Sequence, residues 1–138
     1  MPHLVLEYSD NVIDPPEMRP LLLELHRMLA GTGEFRIEDI KSRAIRHETF
    51  AVAEGDADRS FVTLDIQIFE GRSDAAKESF SASALEILTK SFARAVETTR
   101  CNVTVKVTDM HRSSYRKVNQ KAEGRLEASQ QAAGRRQK

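Results

Sequence analysis

One pattern occurs twice in this chain and limits the folds open to it. Apolar residues recur at every second position, then at helical spacing, then at every second position again. In the first pass Leu4, Leu6 and Tyr8 alternate with His3, Val5 and Glu7, and mostly apolar residues on both faces read as a buried strand. Met18, Leu21, Leu22, Leu25, Met28 and Leu29 then form one helical stripe, closed by Gly31 and Gly33. Asp14-Pro15-Pro16-Glu17 reads as the start of that helix, with Asp14 as cap and Pro15 in the first turn. A returning strand is placed within Ile40 to Phe50, followed by a loop over Ala53 to Ser60.

In the second pass Val62, Leu64, Ile66 and Ile68 alternate with Thr63, Asp65, Gln67 and Phe69. Ser73 offers a cap for a second helix, whose buried side carries Phe80, Ala84, Ile87, Leu88, Phe92 and Ala95. Val103, Val105 and Val107 alternate with polar partners in the last strand. A right-handed crossover makes the two strands of each half parallel. Two such halves, about 2–60 and 61–119, predict an α+β fold: tandem β-α-β units forming a four-stranded mixed sheet with both helices on one face. The other face, expected to be rich in alternating aliphatics, would have to be covered by further copies of the chain.

The chain has 138 residues, enough for one domain with a moderate core. It has no long apolar run and no secretory start, and its one cysteine, Cys101, has no internal partner. These features point to the cytoplasm and away from a membrane. The net charge of zero hides a division. From Arg116 to Lys138 there are seven Lys/Arg and two Asp/Glu, which leaves the remainder net acidic. Any anion site in the body must therefore be local. His111 to Asn119 reads as an arm or short strand. Residues 120–138 read as a basic, polar, solvated tail, since Leu126 is their only large apolar residue. No aromatic residue is interleaved with the charges of this tail, which argues against a nucleic-acid partner.

Four positions stand out chemically. Pro2 follows Met1 directly, and a small second residue lets an aminopeptidase remove Met1, leaving a secondary amine at the head of a buried strand. Arg72 stands at the mouth of the second helix, while Lys41 and Arg43 stand in the second strand. His3 reads as structural or supporting, and His26 as solvated. The histidines show no metal-ligand spacing, and the sequence contains no phosphate loop and no nucleophile elbow.

These residues together resemble the tautomerase superfamily. Ile66 to Tyr115, with Glu70-Gly71-Arg72-Ser73-Asp74 and Thr108-Asp109-Met110, is similar to a whole 4-oxalocrotonate tautomerase unit. The chain to about Asn119 is most similar to the 5-carboxymethyl-2-hydroxymuconate isomerases. The similarity lies in Pro2-His3, Ser9-Asp10-Asn11, Thr32-Gly33, Ile40-Lys41-Ser42-Arg43, Phe61-Val62 and Gly71-Arg72-Ser73. Lys41 stands where that family usually carries arginine. It keeps the charge without the planar two-pronged grip.

The resemblance implies a homotrimer and a cofactor-independent isomerase or tautomerase without metal, acting on a small carboxylated product of aromatic-ring breakdown, as in 4-hydroxyphenylacetate degradation. Pro2 would be the general base, and Arg72, Arg43 and Lys41 would bind substrate. Two other readings stay open at this level: a non-catalytic trimeric binding module, or a hydratase or dehalogenase on the same scaffold. The latter would need a water-activating residue near Pro2, and Glu7 is a weak candidate.

Overall fold

The computed structural model describes residues 1–119. Four strands, β1 (His3–Ser9), β2 (Lys41–His47), β3 (Arg59–Phe69) and β4 (Arg100–Met110), form one sheet in the order β2-β1-β3-β4. β1 pairs parallel with β2 and β3 pairs parallel with β4, while the central seam between β1 and β3 is antiparallel. Each half is thus a parallel strand–helix–strand unit, and the two halves meet head to tail. The helices are α1 (Met18–Gly31), α2 (Asp74–Ser91) and the short α3 (Ala93–Thr98). The basic tail expected at 120–138 lies outside the described residues.

The core lies between the helices and one face of the sheet. Leu4, Leu6, Val62, Leu64, Ile66 and Ile68 point into it from the strands, and Leu21, Leu25, Leu29, Phe80, Ala84, Leu88, Phe92 and Ala95 from the helices. The other face is not the aliphatic surface expected from the sequence. Val103, Val105 and Val107 all pack on the helix side, with Cys101 beside them. Register then puts Thr63, Asp65 and Gln67 of β3 beside Thr104, Lys106 and Thr108 of β4 on the open face. Those polar groups bond to one another: Thr104 to Thr63 at 2.8 Å, Thr108 to Asp65 at 2.6 Å and Gln67 to Asp65 at 3.0 Å.

Four local expectations are corrected. The second helix breaks at Phe92, so Ala95 lies on α3, and β3 begins at Arg59, inside the loop expected over Ala53 to Ser60. α1 begins at Met18, not at Asp14, and Asp14 adopts a positive φ of 49°. The proline that occupies the first turn is Pro20, where a missing N–H costs nothing because no intrahelical acceptor exists there. His26 is not simply solvated. Its Nε2 lies 2.7 Å from Ser42 Oγ and ties α1 to β2, and burial, followed by Arg27, lowers its pKa. The cap on α2 is as read: Ser73 Oγ accepts from Ala76 N at 3.1 Å.

Candidate active site

The parallel pairing of β1 with β2 builds the centre of the site. Pro2 precedes β1, and its carbonyl accepts from Lys41 N at 3.1 Å, which extends the ladder by one step. The Pro2 side chain is fully buried. The same register sets Lys41 beside His3. A strand-anchored chain start beside a lysine follows directly from how these two segments pair.

Around the chain's first amine, here on Met1, four charged side chains converge from separate elements. Burial is the main reason that its pKa falls from the ordinary value to about 6. Asp39 opposes this, while Arg72, Lys117 and Lys41 reinforce it. Asp39 ends a 3-10 turn (Ile37–Asp39) just before β2, and Lys117 lies on the arm after a second such turn (Arg112–Ser114). Lys117 Nζ and Asp39 Oδ1 are 3.9 Å apart.

Arg72 is held firmly. Gly71 before it has a φ of +114°, a backbone setting that favours glycine and turns the chain from β3 into α2. Arg72 Nε donates to Glu34 Oε1 at 3.2 Å and Nη2 donates to the Glu34 carbonyl at 3.1 Å. Its guanidinium lies 4.3 Å from the centre of the Phe35 ring, and Phe35 in turn packs on Phe80 of α2. The side chain is only 22% exposed.

His3 Nε2 and the Tyr115 hydroxyl lie 3.0 Å apart. Burial lowers the His3 pKa, helped by Lys41, Arg43, the amine and Lys117. Burial raises that of the Tyr115 phenol, helped by Asp39. Both groups are therefore neutral near pH 7, and their bond fixes the arm against β1. Tyr115 also meets Phe69 edge-on at 5.0 Å, and Arg112 covers the same ring.

Of the residues singled out from sequence, Pro2, Lys41 and Arg72 come together. Arg43 stands opposite Val5 in register, exposed, and it influences His3 but is not among the charges acting on the amine. Glu7 is bound to His47 at 2.8 Å, farther along β1, so Asp39 is the carboxylate nearest in effect to the amine. Asp39, Tyr115 and Lys117 were missed. Nothing in local spacing marks them, since they reach the site from distant parts of the chain. Among the described residues no three His, Cys, Asp or Glu side chains gather as metal ligands, and no helix is long and apolar enough to cross a membrane.

A 5-carboxymethyl-2-hydroxymuconate Delta-isomerase of Escherichia coli is 27% identical over 111 residues, covering 80% of this chain and 88% of the relative. A solved 5-carboxymethyl-2-hydroxymuconate isomerase from Deinococcus radiodurans R1 is 30% identical, with a TM-score of 0.78 over 90% of this chain and 94% of that one. A structure described as a fused 4-OT wild type symmetric trimer shares the fold at 13% identity, with a TM-score of 0.67 over 89% and 99% of the two chains. The sequence profile of the 5-carboxymethyl-2-hydroxymuconate isomerase family matches residues 2–134, nearly the whole chain. With a profile match of that extent, the chain is an isomerase and belongs to the 5-carboxymethyl-2-hydroxymuconate isomerase family.

Proposed function

We propose that the chain, once Met1 is removed, is a cofactor-independent enol–keto isomerase with the Pro2 amine as general base. Its substrate is an unsaturated di- or tricarboxylate from aromatic-ring cleavage, such as 5-carboxymethyl-2-hydroxymuconate in 4-hydroxyphenylacetate breakdown. The working form is a cytoplasmic homotrimer. The observation that carries this reading is the lowered pKa, about 6, of the Met1 amine one residue ahead of Pro2, caused first by burial and then helped by Arg72, Lys117 and Lys41, surroundings that the Pro2 amine would share. A base that is neutral at pH 7 can take a proton, and the cations that add to the effect of burial also attract carboxylates.

The reaction needs one base used twice. The amine nitrogen takes a proton from the substrate, and the electron pair left behind spreads over a planar dienolate. The new ammonium then returns the same proton to a different carbon, and the double bond has moved. Arg72 binds one carboxylate through charge-assisted hydrogen bonds. Lys41 adds a second substrate-binding cation beside the amine, and Arg43 adds positive charge on the substrate's approach. His3 and Tyr115 hold the arm without exchanging protons with substrate.

The test is turnover of a 2-hydroxymuconate-type dienol, followed by ultraviolet absorbance. Protein beginning at Pro2 should convert it, and protein that retains Met1 or has its terminal amine acetylated should not. Equal activity in the blocked form would rule out the amine as base.

A further inference from the structure

Lys117 has no place in the sequence reading, yet it shares a contact with a residue that does. Lys41 Nζ lies 3.4 Å from the Met1 sulfur and Lys117 Nζ lies 3.7 Å from the same atom. Two ammonium groups, one from β2 and one from the arm, thus close on one point beside the chain's amine. A thioether is a poor partner for either. A carboxylate suits both far better, because it can offer one oxygen to each ammonium.

The arm is fixed well enough to present a side chain at a set place. Tyr115 bonds to His3 at 3.0 Å and packs on Phe69, and His111 bonds to Glu70 at 3.1 Å. Asp39 is the anion that now faces Lys117, at 3.9 Å, longer than a good charge-assisted hydrogen bond. Lys117 therefore keeps donor capacity to spare. Arg72 approaches the amine from another element, the loop before α2, and is already bonded to Glu34. The cations thus fall into two groups by their contacts: Arg72, bonded to Glu34, and Lys41 with Lys117 at the Met1 sulfur.

We infer that Lys117 and Lys41 form a second carboxylate-binding position, in the space the Met1 side chain fills, so that the site selects substrates with two separated carboxylates. This rests on the reading that Met1 is removed and the site takes a carboxylated diene. Lys117 acts in binding, and it holds the distal carboxylate while Arg72 holds the other.

The experiment uses full-length protein beginning at Pro2 and two unreactive probes, muconate with two carboxylates and sorbate with one on a chain of the same length. Calorimetry gives both affinities for the parent chain, Lys117→Met and Lys117→Arg. Lys117→Met keeps the aliphatic stem and removes the charge. It should weaken muconate by about five- to thirtyfold, allowing for a side chain one-third exposed, and leave sorbate unchanged. Lys117→Arg should retain most of the muconate affinity.

Three results would overturn the inference: muconate affinity in Lys117→Met within about twofold of the parent, equal losses for both probes, or no muconate binding by the parent. The dienol assay on the same samples separates this from the isomerase reading. Lys117-dependent binding without turnover supports the second position and sinks the proposed enol–keto reaction. Turnover with unmoved affinities sinks the second position alone.

Discussion

Arg72 and Asp39 act on the same amine with opposite signs. Arg72 disfavours its protonated form and Asp39 favours it, so their removal should move the acid limb of kcat/KM in opposite directions. The parent limb should lie below the ordinary amine value, as burial lowers the amine at this place, with activity rising as pH increases through it. Arg72→Ala should shift the limb upward and Asp39→Asn should shift it downward. A limb that stays put in both variants would mean another group sets it. The same sign governs stability: the folded state binds the proton less well than the unfolded one, so stability gains with pH between about 6 and the ordinary amine value and is flat above it.

Arg72→Ala should also lower kcat/KM by about ten- to a thousandfold, since charge-assisted bonds contribute roughly 1.5–3 kcal/mol each. An unchanged kcat/KM with an intact circular-dichroism spectrum would remove Arg72 from the site. Pro2, Lys41 and Arg72 were legible in sequence because each sits at a fixed offset from a readable element end. Asp39, Tyr115 and Lys117 were not. His3 and Tyr115, for example, are 112 positions apart, and only the folded sheet brings them within 3.0 Å.

At the scale of elements, strand alternation was the strongest signal: in β3 the aliphatics occupy every second position from Val62 to Ile68, while the strand's start at Arg59 was missed because Ser60 takes the inward position there. The start of α1 was misread because Asp14-Pro15-Pro16-Glu17 satisfies a capping pattern that the chain spends on a turn instead, and the helix waits for Met18. The loop from β3 to α2 matters most for function. Gly71 has open space where a Cβ would go, so a substitution there meets backbone strain and no steric clash. Gly71→Ala should cost about 1–3 kcal/mol in urea unfolding and raise KM by loosening the placement of Arg72. Unchanged stability with unchanged KM would show that the turn does not position the arginine.

For the whole molecule, the sheet's open face sets the terms of assembly. Its aliphatic content was overestimated from sequence, because alternation says which residues share a face and not which face meets the helices. A face carrying Thr63, Asp65, Gln67, Thr104 and Lys106 would meet its neighbours mainly through hydrogen bonds and ion pairs. Sedimentation equilibrium at micromolar protein should give three times the chain mass of 15.6 kDa, with dissociation promoted by salt more than a hydrophobic ring would show. A stable monomer would contradict the trimer.

The doubled architecture carries a further consequence for counting. The two halves are alike in plan, but only the first begins with the chain. β3 opens at Arg59-Ser60-Phe61, inside a continuous polypeptide, where each nitrogen is an amide. An amide is not basic, so doubling the strand–helix–strand unit does not double the terminal amine. Each chain has one α-amine for two structural repeats, so a label selective for α-amines, used at a pH that keeps the lysines protonated, should saturate at a single equivalent per polypeptide.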